Sequence, residues 1–126
     1  MNRAFVDSSV LLAIAFTEPG ADAVRARLGS FDSIVASPLA EAEVRSAGRR
    51  ESRAISDDLF DSVEWVHMDR ALSREIAQVL SAGYVRGADC WHLAAALFYT
   101  PVPSSLVFYT LDSRQRDIAM ALGFAT

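Results

Sequence analysis

The chain has no lysine. All twelve of its basic residues are arginine, so wherever its acids gather, no ε-ammonium group is there to neutralise them. Cysteine is almost absent too. Cys90 stands alone, which excludes an intramolecular disulfide and fits a packing role in a reducing compartment. The chain shows no low-complexity tract, internal repeat, linker or block of like charge, so neither disorder nor a second domain is indicated. The apolar run Val10 to Phe16 is far too short to cross a bilayer. Asp7 separates it from Arg3, and Thr17–Glu18–Pro19–Gly20 closes it with turn residues, which does not suit a signal peptide. A cytoplasmic protein with no membrane segment is expected.

The formal net charge of −4 argues against an avid polyanion binder. Arg45, Arg49, Arg50 and Arg53 nevertheless fall within nine residues, and Arg114 and Arg116 closely follow a late acid. The guanidinium fork suits phosphate, although a solvated face explains most of these residues equally well. With 126 residues at 52% hydrophobic, the chain has material for one core and one domain, residues 1–126.

Apolar strands alternate with helices along the sequence. Strands are expected at Arg3–Asp7, Ile34–Ala36, Val63–His67 and Leu106–Leu111, with Phe124 opening a closing edge strand. Helices are expected at Val10–Ala15, Gly20–Leu28, Leu39–Arg50, Ile55–Asp61, Arg70–Ala82, from Gly87 through the Asp89 segment, and at Arg114–Leu122. Ser37 reads as the N-cap of the Leu39–Arg50 helix, with Pro38 at its first position. In the helix from Arg70, Leu72, Ile76, Val79 and Leu80 share the apolar face. This alternation predicts an α/β/α sandwich around a mainly parallel sheet, with its active crevice beyond the carboxyl ends of the strands.

The segment RGADCWHLAAALF, from Arg86 to Phe98, is apolar almost all round, as a buried helix is. Its first turn carries Asp89 on the stripe of Leu93, Ala96 and Leu97, where an unpaired charge is costly. Alone, Asp89 reads equally as a first-turn cap. Three more acids occupy comparable places. Asp7 and Asp112 end strands, and helical phase puts Glu43 between Leu39 and Ala47 on an inward face while Glu41 points to water beside Arg45 and Gly48.

Four converging carboxylates without a lysine repel one another unless some are protonated or a cation joins them. Mg²⁺ or Mn²⁺, with their preference for oxygen ligands, suits such a group, and suits a phosphodiester substrate. Zinc is disfavoured, because Cys90, His67 and His92 lack ligand spacing and two of them lie in the buried helix. His92 reads as a core or helix-surface histidine.

The pieces FVDSSVLLA, SPLAEAEVRSA, ADCWHLAAAL and FYTLDSRQRDIAMALGF, in that order and spacing, resemble PIN-domain ribonucleases of the VapC-like toxin group from toxin–antitoxin modules. The resemblance covers essentially the whole chain. It implies Mg²⁺- or Mn²⁺-dependent endonucleolytic cleavage of RNA, with Asp7, Glu43, Asp89 and Asp112 as the acidic quartet. Asp7 and Asp89 would be the principal metal ligands, with Glu43 and Asp112 completing the shell or orienting the attacking water. Ser9 resembles the family's small hydroxyl residue near metal-held water or phosphate, and equally fits a helix N-cap; Arg114 is a weaker candidate for substrate contact. Asp117 reads as an exposed residue paired with a neighbouring arginine rather than as a further distal acid. A cognate antitoxin, and a homodimer through the early and middle helices, are also implied. Receiver domains are excluded by the missing lysine, and haloacid-dehalogenase-like phosphatases by Ser8–Ser9 after Asp7 in place of a DxD. A PIN-like module that binds RNA or protein and cuts little or nothing stays open; the presence of all four acids weighs against it.

Overall fold

The computed structural model describes every residue from Met1 to Thr126. Four short strands, β1 (Arg3–Val6), β2 (Ser33–Ala36), β3 (Val63–Trp65) and β4 (Val107–Tyr109), form one parallel sheet in the order β3–β2–β1–β4. Six helices accompany them: α1 (Ser8–Ala15), α2 (Ala21–Gly29), α3 (Pro38–Arg50), α4 (Ser73–Ala82), α5 (Gly87–Tyr99) and α6 (Ser113–Ala121). The chain steps from β1 to β2 to β3 in one direction and returns to lay β4 on the other side of β1. The sheet therefore reverses its winding between β1 and β4.

Strand parity sorts the side chains into two cores. Phe5, Val35 and Phe108 join Val79 of α4, Leu93 of α5 and Ala119 of α6 on one face. Ala4, Val6 and Ala36 join Leu11 of α1, Val24 of α2 and Val44 of α3 on the other. The expected three-layer α/β/α arrangement is present, and its strands are all parallel rather than mainly so. Phe5 and Phe108, paired across β1 and β4, stack with ring centroids 5.7 Å apart. Each is wholly buried, and burial of a side chain of this size contributes about 1.5–3 kcal/mol.

Several expected elements are shorter than the sequence suggests. Ile55–Asp61 is not a helix; only Asp57–Phe60 coils, as a single 3-10 turn in which Ser56 Oγ accepts from the Asp58 amide at 3.2 Å. Phe60 is its one buried side chain, too little apolar surface to sustain a longer helix. The Phe124 edge strand reduces to one bridge between Val107 and Ala125, while the Phe124 ring packs 5.8 Å from Phe108. α4 starts at Ser73 rather than Arg70, and Leu80, expected on its buried face, is 49% exposed. The start of α3 is as expected, with Ser37 Oγ accepting from the Leu39 amide at 3.1 Å and Pro38 at the first position. No helix is long and apolar enough to cross a membrane.

Gly48, expected on the water side of α3 beside Glu41 and Arg45, is instead buried under the Arg53–Ile55 segment, and close approach requires glycine there. A Cβ there would stand 2.5 Å from Ile55 Cγ1 and 3.0 Å from the Arg53 carbonyl oxygen. Overpacking of this kind costs about 1–3 kcal/mol, against about 1 kcal/mol gained in helix propensity. Gly48→Ala is expected to lower the urea midpoint with an unchanged m-value, a net loss of about 1 kcal/mol; an equal or higher midpoint would contradict the packing described.

Candidate active site

Asp7 follows β1 directly, and Asp112 lies just past the end of β4. Because β1 and β4 are neighbours at the reversal of strand order, both acids emerge at the position where parallel α/β sheets bind ligands. Glu43 approaches from α3 and Asp89 from the first turn of α5. Together with Ser8, Ser9, Leu12, Arg86 and Ala88, these four acids line one cleft of about 420 Å³.

Asp7 is only 3% exposed. Ser9 Oγ donates to its Oδ1 at 2.6 Å and accepts from the Leu111 amide at 3.0 Å. The serine therefore ties the end of β1 to the segment after β4, instead of capping α1. Asp112 caps α6, its Oδ1 accepting from the Gln115 amide at 2.8 Å. Gln115 is wholly buried; its side-chain amide accepts from Thr110 Oγ1 at 2.7 Å and donates to the Asp89 carbonyl at 3.3 Å. One glutamine thus joins the ends of β4, α5 and α6 beneath three of the acids.

Asp89 is not the cap of α5. Arg86 occupies that position, and the nearest basic atom to the Asp89 carboxylate is Arg86 Nε at 3.6 Å, too long for a good hydrogen bond. Glu43 is held more firmly, with its Oε1 2.6 Å from Nε2 of His92. Glu41, two residues earlier, is paired with Arg45 at 2.7 Å on the exposed side of α3.

The electrostatics differ among the acids. Burial pushes the Asp7 carboxyl above its usual range, offset only in part by the Ser9 hydroxyl. The hydrogen bond from His92 holds Glu43 below its usual range, against the effect of burial. Burial also pushes up the Cys90 thiol, which matches a packing role.

The cleft's chemistry suits a hard divalent cation. Its donors are carboxylate and hydroxyl oxygens, and Asp7 is a buried acid with no arginine paired to it. No three of its His, Cys, Asp or Glu side chains stand close enough to form a ready-made cage. Mg²⁺ does not require one, because it is commonly held by one or two carboxylates and keeps several waters.

Of the residues singled out in the sequence, Asp7, Ser9, Glu43, Asp89 and Asp112 come together here. Arg114 does not; its guanidinium lies 5.9 Å from the exposed Tyr84 ring, and the arginine lining the cleft is Arg86. Asp117 is exposed on α6 away from the cleft. Sequence reasoning missed Arg86, His92, Thr110 and Gln115. A signal existed for two of them: Gln115 shares its helix face with buried Ile118 and Ala119, and His92 lies one turn beyond Asp89 in an otherwise apolar segment.

Comparison with curated proteins gives no match, nor does comparison with solved structures. The family model described as "PIN domain" matches residues 4–120, nearly the whole chain and all four acids. With the parallel sheet, the six helices and the placement of the cleft, this match assigns the fold as well as the sequence: the chain belongs to the PIN domain family.

Proposed function

We propose that this protein is a Mg²⁺- or Mn²⁺-dependent endoribonuclease acting as the toxin of a toxin–antitoxin module, with residues 1–126 as a single PIN domain. PIN domains are typically metal-dependent nucleases, and RNA is the substrate the family implies. The observation that carries the reading is the gathering of four carboxylates from four separate elements onto one cleft at the reversal of strand order. A scaffold needs no such gathering, since clustered like charge costs stability unless a ligand offsets it.

Asp7 and Asp89 would hold the ion, which when bound supplies charge neutralisation and Lewis acidity toward the phosphodiester. Asp7 is fixed by Ser9, so its free oxygen has a defined direction. Glu43, ionised and anchored, orients the attacking water and takes its proton. Asp112, with one oxygen engaged in capping α6, has the other available to water or metal. Arg86, exposed at the rim beside Asp89, is placed to meet a phosphate entering an otherwise acidic cleft. The toxin role and the antitoxin partner rest on the resemblance to VapC-like proteins. An antitoxin segment carrying a basic side chain would suit this acidic cleft.

The test is cleavage of a panel of single-stranded and structured RNAs by purified protein in Mg²⁺, Mn²⁺ or EDTA, with two neighbouring variants. Glu43→Gln is expected to lose about 10²–10⁴-fold in rate, the scale of a missing general base. Glu41→Gln should stay within about twofold, because its carboxylate serves only an exposed ion pair. Equal losses in both would remove the distinction between the two faces of α3. Absence of any metal-dependent cutting by folded protein would favour the binding-module alternative.

A further inference from the structure

His92 is wholly buried, and its Nδ1 has no hydrogen-bond partner. Only Nε2 is engaged, 2.6 Å from Glu43 Oε1. An ionised carboxylate has no proton to give, so the imidazole nitrogen donates. The bond joins α5, whose apolar side packs in one core, to α3, whose apolar side packs in the other. A second bond, Trp91 Nε1 to Ser37 Oγ at 3.2 Å, ties the same two helices.

Stability alone does not explain a histidine at this place. Its neighbours on α5 are Leu93, Ala94, Ala95 and Ala96, all fully buried, and an apolar side chain would leave no unpaired nitrogen in such surroundings. Nor does His92 line the cleft, so it cannot itself meet a substrate. What it touches is the one acid of the quartet that comes from the opposite helical layer. A glutamate at the mouth of a cleft, 31% exposed, has several accessible rotamers, and fixing one of them is the kind of preorganisation a reacting group needs.

We propose that His92 is a positioning residue of the active site: by donating from Nε2 to Oε1 it locks the Glu43 carboxylate and leaves Oε2 as the oxygen presented to the cleft. This role presupposes nuclease activity for its kinetic consequences, but not for its effect on Glu43 itself. The lowered range of the Glu43 carboxyl accords with it.

Four variants test it: His92→Phe, which keeps a ring but no donor; His92→Gln, whose amide can still donate; Glu43→Gln; and the double variant His92→Phe/Glu43→Gln. His92→Phe, shown to be folded in EDTA, should lose about 10–100-fold in kcat, the usual cost of removing a hydrogen-bonded support, with KM within about twofold. His92→Gln should recover part of that loss. In the Glu43→Gln background, His92→Phe should cost less than about twofold more, because both changes break the same unit. Full activity in His92→Phe, or losses that multiply in the double variant, would overturn the role. The readout independent of activity is the ¹³C carboxyl resonance of Glu43 in metal-free protein. At one fixed neutral pH it should differ between His92→Phe and wild type, since the bond to Oε1 is lost, and an unchanged resonance would overturn the proposal even if the wild type cut no RNA. If the Phe variant fails to fold, His92→Leu carries the same comparisons.

Discussion

Asp7→Asn is expected to be more stable than the wild type in EDTA and to cut no RNA. Asp7 is 3% exposed with no arginine against it, and burial pushes its carboxyl above its usual range despite the Ser9 bond. Such elevation is a cost to the folded state at neutral pH, where the buried carboxyl must ionise. Asparagine removes the charge at nearly constant shape and keeps Oδ1 as acceptor for Ser9. A higher Tm than wild type in EDTA should follow, because the buried charge is gone. The pH dependence has a defined sign. An acid whose folded value is raised contributes stability that is complete below its unfolded value of 3.8 and is lost as pH rises through the folded value. The difference in stability between variant and wild type should therefore open as pH rises above that point and then level off. The difference is the right quantity, because Glu43 and Glu75, lowered by His92 and Arg70, act in the opposite sense. Equal melting temperatures across this range would mean that Asp7 is not strained by its burial. A destabilised, active variant would remove it from the site.

The four acids were legible because each stands where pattern and charge disagree. Asp7 and Asp112 follow apolar strands, Asp89 interrupts an apolar helix, and helical phase alone separates Glu43 from Glu41. The sheet was legible for the same reason, since β1, β2 and β4 are short apolar runs closed by polar residues. What ties the site together was not. His92, Thr110 and Gln115 act through contacts that join segments five to forty-nine residues apart, and one-dimensional periodicity carries no such information. Arg114 stands out in the sequence because it follows an acid, and Arg86 does not, yet the turn of α6 directs Arg114 to Tyr84 while the start of α5 puts Arg86 beside Asp89. The overlong helix at Ile55–Asp61 had polar caps and one buried phenylalanine, a pattern that a single 3-10 turn satisfies equally well.

Asp89→Asn is expected to abolish cleavage too, but without the gain in stability, and that contrast separates the two acids. Asp89 keeps 19% of its side-chain surface exposed and has Arg86 3.6 Å away, so its charge is partly solvated and partly paired. It makes no capping bond that an amide would lose, and its favourable interaction with the first turn of α5 is worth about 0.3–1 kcal/mol. The metal-free variant should therefore melt within about 3 °C of the wild type. Loss of a ligand oxygen acts where charge develops on the phosphodiester, and a fall in kcat/KM of at least about a thousandfold is expected, equivalent to about 4 kcal/mol of transition-state stabilisation. Metal titration followed by thermal melting supplies the second measurement. At a hundredfold excess over Kd, an ion that binds only the folded wild type adds about 2.7 kcal/mol, and Asp89→Asn should gain little or none of it. Cleavage by Asp89→Asn within tenfold of wild type, with the metal-induced shift intact, would leave Asp89 as a helix-terminal charge and reduce the site to Asp7, Glu43 and Asp112. Loss of the metal-induced shift in both variants, with a rise in metal-free stability in Asp7→Asn alone, is the outcome required if a buried, strained acid and a rim acid share one ion.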